Sequence, residues 1–190
     1  MSIFKSTQFN ALLYSLKKCE ECKKLVKSRQ QVMGKCNYPL PPSYKTDATY
    51  FLIGIAPGRL QSKFKRQNEE DRAFKYASGR VLERVLKLLK IDKQCYITNI
   101  VKCNTPDDGQ FLKCDVKQCI RSFLIKEIAM VKPKKIVVMG YQAHQYFRTY
   151  LYDAVYKHVT GCIYFIKHPS YISRVPSYFK KYVEEWRKII

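Results

Sequence analysis

The chain has 190 residues, enough to bury a core, and its 46% hydrophobic content favours one globular domain over residues 1–190. It contains no apolar run near the roughly 20 residues of a membrane span, and its N-terminus lacks a signal peptide's apolar core, so we expect an intracellular protein without membrane association. The 36 basic and 15 acidic residues give a net charge of +21, which predicts a polyanionic partner, nucleic acid before an anionic membrane.

Apolar residues at helical spacing predict a first helix that Ser6 caps and that ends near Cys19-Glu-Glu-Cys22. A buried strand then begins at Tyr50 and runs into a loop of small residues over Gly54–Gly58. Because this loop has little side-chain bulk, a ligand can approach its backbone closely, and we interpret it as the floor of a site.

Strands and helices alternate along the rest of the chain. The further predicted strands are Cys95–Val101, Lys135–Gly140 and Cys162–Lys167. Between and after them, the pattern predicts helices capped by Ser78 and by Asp115, one over Tyr141–Leu151, and one through Trp186. Alternation of this kind predicts a three-layer α/β/α fold, with helices on both faces of a central four-stranded parallel sheet.

Two polar residues stand at predicted strand ends. Asn99 ends the second strand and His168 follows the fourth, so in a parallel sheet both converge with Gly54–Gly58 on one edge. An asparagine amide suits the edge of a nucleobase, and a histidine can donate a hydrogen bond to a developing oxyanion. The alternatives are a satisfied buried amide for Asn99 and a turn residue before proline for His168.

The eight cysteines argue against a disulfide framework in an intracellular chain and for metal binding by some of them. Thiols at 19, 22, 103 and 119 can hold either tetrahedral zinc or an iron–sulfur cluster, and Cys114 competes with Cys103 on spacing alone. We interpret Cys36, Cys95 and Cys162 as small core residues.

Several short motifs occur in an order that resembles family 4 of the uracil-DNA glycosylase superfamily, from Cys19 to about Arg174. They are Cys19-x-x-Cys22, Gly54–Gly58, Phe74-x-x-x-Ser78-Gly79, Tyr96–Cys103, Cys119, Lys132–Gly140 and His168–Tyr171. The resemblance implies a uracil-DNA glycosylase-like fold, a monomer that binds DNA, and base-excision repair by removal of a flipped uracil.

The resemblance also implies roles for individual residues. A structural [4Fe–4S] cluster would be held by Cys19, Cys22, Cys103 and Cys119, with Cys103 preferred over Cys114. Phe74 would stack on the base, Asn99 would read its polar edge, and His168 would donate to a uracil oxygen while the backbone amides of Ile55 and Ala56 help to stabilise the leaving anion. The loop over 168–174 would enter the minor groove. The remaining residues expected to bind substrate are Gly54, Pro57, Gly58 and Ser170.

The chain departs from the family at Ile55, where a glutamate that helps to position water is usual. Acidic residues before Phe74, namely Glu69, Glu70 and Asp71, offer a substitute acid or are solvated loop charges. A catalytically weak or inactive DNA-binding module, and a glycosylase for another damaged base, are therefore the alternatives to a uracil-DNA glycosylase.

Overall fold

The computed structural model describes residues 3–23, 47–57, 77–103, 113–156 and 161–190. Four parallel strands form one sheet in the order β2–β1–β3–β4. The strands are β1 Tyr50–Gly54, β2 Cys95–Asn99, β3 Lys135–Met139 and β4 Cys162–Ile166. The predicted α/β fold with a central four-stranded parallel sheet is thus confirmed, and all four strands begin at the expected residue.

Helices cover both faces of the sheet. They are α1 Ile3–Lys17, α2 Ala77–Leu88, α3 Lys113–Cys119, α4 Ile125–Val131, α5 Tyr141–Tyr150, α6 Tyr152–Tyr156, α7 Pro169–Arg174 and α8 Phe179–Arg187. A π-helical stretch over Ile120–Leu124 joins α3 to α4, and short 3₁₀ turns cover Asp92–Gln94 and Pro176–Tyr178.

Side chains that alternate along β1 supply two separate cores. Phe51 and Ile53 lie in the first core, against the α3–α4 and α5 helices, whereas Tyr50 and Leu52 lie in the second, with Trp186 of α8. Phe51 stacks on its register partner Tyr96, with ring centroids 4.8 Å apart. Because both faces of the central strands are buried, β1 is apolar throughout, as parallel sheets between helices require.

Each predicted helix cap lies inside its helix, one to three residues after the first helical residue. Helix α1 begins at Ile3, so Ser6 lies inside it, and α2 begins at Ala77, one residue before Ser78. Helix α3 begins at Lys113, so Asp115 is its third residue. Serine and aspartate favour the first helical turn as well as the cap, which is why such residues locate a helix end only approximately.

The N-terminal helix packs on the rest of the fold through one apolar stripe. Phe9 lies in the first core, while Leu12 and Leu16 contact Phe123 of the π-helical stretch. Within the described ranges, no helix is both long and apolar enough to span a bilayer. A single domain over 1–190 and a monomeric state stay predictions.

Candidate active site

Strands β1 and β2 end side by side and hold the first part of the site. Gly54 and Asn99 are register partners. Beyond the strands, Ile100 N donates to Gly54 O at 2.8 Å and Val101 N donates to Ile55 O at 2.9 Å. These two bonds hold the small-residue loop of β1 against the turn that follows Asn99, so the two segments form one rigid edge.

The side-chain oxygen of Asn99 is a buried polar atom at this end of the sheet. Its side chain is only 3% exposed, and among the described residues its Oδ1 has no hydrogen-bond partner. A buried acceptor without a donor costs about 1–3 kcal/mol. The described residues therefore do not support the alternative of a satisfied amide for Oδ1, and a ligand that brings an N–H donor to this atom would remove the penalty.

A buried ion pair lies directly behind Asn99. Lys102 Nζ contacts Glu127 Oε2 at 2.7 Å and also donates to Thr98 Oγ1 at 2.6 Å and to Asn99 O at 2.8 Å. Lys102 is 1% exposed and Glu127 is fully buried. Burial raises the pKa of Glu127, and the charge of Lys102, with hydrogen bonds from Lys102 and Thr98, opposes that rise.

This pair was not predicted, although the sequence contains two signals of it. Glu127 follows Phe123 by four residues and Leu124 by three, so helical periodicity places it on their buried face. Thr98 and Asn99 are polar in an otherwise apolar strand, and both accept hydrogen bonds from Lys102.

His168 forms the second part of the site at the end of β4. Its Nδ1 accepts a hydrogen bond from Ser170 N at 3.1 Å and lies 2.8 Å from Ser170 Oγ. Because a backbone N–H can only donate, Nδ1 carries no proton, and the neutral ring holds its proton on Nε2. Burial, with a smaller contribution from the Arg174 charge, lowers the pKa of His168 to about 4. Near neutral pH the ring is therefore an uncharged Nε2–H donor.

The segment after His168 is a helix, which corrects the predicted loop over 168–174. Helix α7 begins at Pro169, and the His168 side chain caps it. Proline at the first helical position is well tolerated because its missing N–H would have no partner inside the helix. The His-Pro pair thus starts a helix here, and the interpretation of His168 as a turn residue is replaced by that of an N-cap.

Gly140 at the end of β3 makes room for His168. Its φ is +94°, and a Cβ built on it would lie 2.9 Å from His168 Cβ. Gly140 N also donates to Ile166 O at 2.8 Å. Only glycine fits this conformation and this contact, so Gly140 fixes how closely the ends of β3 and β4 approach each other.

Other predicted site residues divide between the described and the undescribed parts of the chain. Ile55 and Ala56 are half-buried and pack against the first core, and Pro57 is buried. Ser170 contacts His168 as described. The predicted residues outside the described ranges are Gly58, Phe74, Glu69, Glu70, Asp71 and Cys36.

The four cysteines expected to hold a cluster are all partly or fully buried. Cys22, Cys103 and Cys119 belong to the first core, and half-buried Cys19 packs against the Leu12–Leu16–Phe123 group. Across the described ranges, no group of three or more His, Cys, Asp or Glu side chains is arranged to hold a metal ion. Donor type and burial fit a thiolate-held cluster, whereas the side-chain arrangement does not itself mark a metal site.

The remaining described cysteines differ from each other. Cys95 is buried, as expected, and its Sγ donates to Ile91 O at 3.1 Å. Cys162 is exposed, so the expectation of a core residue was wrong there. The reason is its place as the first residue of β4, an edge strand whose burial is incomplete.

One cavity lies at the strand ends beside Gly140, and a larger one lies away from the sheet. A cavity of about 290 Å³ opens at the ends of β3 and β4, where the His144 ring stacks on Phe165 with centroids 3.9 Å apart. A cavity of about 440 Å³ lies between α1 and α4, and its lining includes no strand residue. Volume alone therefore does not identify the site, which is defined by the polar groups at the strand ends.

Comparison with known proteins gives one consistent family. A family model described as the uracil DNA glycosylase superfamily matches residues 41–188. A protein of Pyrobaculum aerophilum named Type-4 uracil-DNA glycosylase is 28% identical over 126 residues, covering 66% of this chain and 57% of the relative. Its namesake in Sulfurisphaera tokodaii is 29% identical over 130 residues, covering 67% and 52%.

A third relative with the same name, from Archaeoglobus fulgidus, is 25% identical over 171 residues, covering 82% of this chain and 81% of the relative. The chain thus spans about half the length of the first two relatives and most of the third.

Proposed function

Because the chain belongs to the uracil DNA glycosylase superfamily, we propose that it flips uracil out of DNA and hydrolyses the bond between the base and its deoxyribose. The observation that carries this proposal is the buried Oδ1 of Asn99, which has no partner among the described residues. It lies at the same sheet edge as the Gly54–Pro57 backbone and His168.

Asn99 would read the base. Uracil presents an N–H between two carbonyl oxygens, so an amide that accepts with Oδ1 and donates with its NH₂ matches two adjacent positions. Cytosine presents an acceptor and an amino group at the same two positions. A fixed amide therefore favours uracil over cytosine. Because this amide is buried, the wrong base would leave its polar atoms unpaired, which makes the discrimination strong.

His168 and the loop backbone would stabilise the leaving group. When the bond between the sugar C1′ and the base N1 breaks, its electron pair goes to the base, water adds to C1′, and the released proton ends on the base. The Nε2–H of neutral His168 and the amides near Ile55 and Ala56 are suited to stabilise the charge on the uracil oxygen. Ile55 itself can neither accept a proton nor orient the water.

DNA would bind along the basic surface beside His168. Lys167 Nζ donates to Tyr178 Oη at 2.8 Å and lies 4.4 Å from the centroid of that ring, and Lys181 Nζ lies 5.4 Å from it. Cations held over aromatic rings offer both phosphate contacts and stacking surface. With a net charge of +21, affinity for DNA should fall steeply as salt is raised.

A [4Fe–4S] cluster held by Cys19, Cys22, Cys103 and Cys119 is part of the proposal. When bound, the cluster would supply a structural link between the segment after α1, the turn after β2 and the end of α3, with no part in base removal. Purified protein should absorb in the visible range and contain iron, and Cys103→Ala should lose both. A colourless protein with stoichiometric zinc would contradict this assignment.

The deciding experiment is release of uracil from labelled DNA, followed by cleavage of the abasic sites. Wild type, Ile55→Glu and Asn99→Ala should be compared on single- and double-stranded substrates. We expect product from wild type, more from Ile55→Glu because a carboxylate can orient water, and little from Asn99→Ala. No product from wild type at stoichiometric amounts, with the cluster intact, would refute the proposed reaction.

Ile55 favours a second candidate, a DNA-binding module of the same fold that does not release bases. It predicts salt-sensitive binding to DNA without any product. Turnover by wild type would exclude it. A panel of deaminated and oxidised bases, assayed in parallel, would identify a different substrate base.

A further inference from the structure

The buried Lys102–Glu127 pair has no part in the proposed chemistry, yet it touches the residue on which base reading depends. Lys102 Nζ makes three hydrogen bonds, to Thr98 Oγ1, Asn99 O and Glu127 Oε2, at 2.6, 2.8 and 2.7 Å. An ammonium group has three donors. All three are used, and two of the three acceptors belong to the last two residues of β2.

The geometry makes Lys102 a clamp on the turn that leaves the strand. Lys102 lies three residues after Asn99, and its side chain reaches back across Ile100 and Val101, whose N–H groups are bonded to Gly54 O and Ile55 O. The carbonyl of Asn99 is therefore held from the side opposite to the β1 loop. A fixed carbonyl fixes the Cα of Asn99, and with it the direction in which the amide side chain starts.

Stability does not explain why this pair is buried. Removing two charges from water is costly, and replacing a buried ion pair by apolar residues of similar volume is often neutral or stabilising. Glu127 is fully buried on α4, and Lys102 is 1% exposed. An apolar pair would fill this space, but it would offer no hydrogen bonds to Thr98 and Asn99.

We propose that Lys102 and Glu127 are positioning residues that fix Asn99 for base discrimination. Glu127 holds the ammonium of Lys102 in place, and the ammonium holds the end of β2. This inference rests on the proposed reading of uracil by Asn99. It assigns the choice between uracil and cytosine to a pair of residues that does not touch the base.

A mutant cycle tests whether the pair acts through Asn99. The variant Lys102→Met/Glu127→Met removes the clamp without leaving a lone buried charge. Its kcat/KM on uracil-containing DNA should fall about 100-fold, the scale expected for a catalytic group misplaced by 1 Å. In the Asn99→Ala background the same two changes should have almost no effect, because there is no amide left to position.

The matched control is Glu83→Met/Lys87→Met, which removes an exposed Lys–Glu pair with the same change in charge. It should keep the kcat/KM of wild type. The positioning role would be overturned by a methionine pair at 102 and 127 that keeps wild-type kcat/KM. The positioning role would also be overturned if the methionine pair lowered kcat/KM by the same factor in the Asn99→Ala background as in the protein that retains Asn99.

Two further measurements separate the possible failures. If the methionine pair does not fold, Thr98→Val takes its place in the cycle, since it keeps the ion pair but removes one contact with β2. If wild type releases no uracil, the proposed reaction fails, and the cycle is run on affinity for DNA with a single uracil or cytosine. Loss of uracil preference only where Asn99 is present supports the clamp, and equal affinities in wild type overturn it.

Discussion

Asn99 and His168 lie at the carboxyl ends of the two outer strands of the sheet, β2 and β4, and they are held by different means. Asn99 ends β2, and its carbonyl is held by Lys102, whose ion-pair partner Glu127 lies on α4, 25 residues after Lys102. His168 follows β4 and is held locally, by a hydrogen bond from Ser170 and by contact with Gly140. The end of β2 depends on a buried charge pair and the end of β4 on backbone geometry, so the stability of the two should respond differently to mutation and to pH.

Mutation of the ion pair behind Asn99 should cause the largest loss of protein stability. Glu127→Leu leaves the Lys102 ammonium buried without its carboxylate, which should lower the free energy of unfolding by about 3–5 kcal/mol. Adding Lys102→Met should restore most of that loss. Urea denaturation of the single and double variants measures both steps, and a double variant no more stable than the single one would contradict this account.

Protein stability should depend on pH through His168. The pKa of His168 is about 4 in the folded protein and about 6.5 in the unfolded chain. Between these pH values the unfolded state binds more protons than the folded state. The contribution of His168 to the free energy of unfolding is therefore complete above pH 6.5 and is lost as pH falls towards 4. The loss should reach about 3 kcal/mol. Denaturation curves at pH 7 and pH 4.5 should show it in wild type but not in His168→Gln.

His144 provides the control for that measurement. Burial also lowers the pKa of His144, which stacks on Phe165 near the same edge. His144→Gln should keep a clear decrease in stability towards pH 4.5 because His168 is still present. Loss of the whole pH dependence in this variant would mean that His144, rather than His168, dominates acid sensitivity.

Disturbing the close approach of Gly140 and His168 should lower the free energy of unfolding by less. Gly140→Ala places a side chain at φ +94° and 2.9 Å from His168 Cβ, which should cost about 1–3 kcal/mol. Adding His168→Gly removes the close contact but not the backbone strain. Because His168→Gly also removes the side-chain cap of α7, the stability lost to Gly140→Ala is measured in urea both in wild type and in the His168→Gly background. A smaller loss in that background separates the contact from the strain, and equal losses would show that strain alone is responsible.

The smallest effect is expected at an exposed pair of the same composition as Lys102–Glu127. Lys87 Nζ and Glu83 Oε1 are 2.6 Å apart on α2, with side chains 63% and 57% exposed. Solvent screens such pairs, so Lys87→Met should leave the unfolding free energy unchanged within error. A loss comparable with that of Glu127→Leu would show that burial is not what distinguishes the two pairs.

The comparison also shows which parts of the molecule were predictable from sequence. The strands were, because an apolar run between helices has few alternatives, and so was the position of Asn99 and His168 at the carboxyl ends of β2 and β4. The partners that hold these residues were not. Pairing Lys102 with Glu127 requires knowing how α4 packs on β2, and the positive φ of Gly140 depends on how closely β4 approaches β3.

The π-helical stretch over Ile120–Leu124 determines how two buried residues are oriented around one helix axis. Cys119 and Glu127 are eight residues apart, which in an α-helix is about 2.2 turns. A π-helical turn contains more residues, so the stretch brings this spacing closer to two whole turns and points both side chains towards the sheet. If the same residues formed a regular α-helix instead, Glu127 would be rotated by about a fifth of a turn relative to Cys119, away from Lys102. The wider turn inside this helix therefore sets the direction in which the buried carboxylate of Glu127 points.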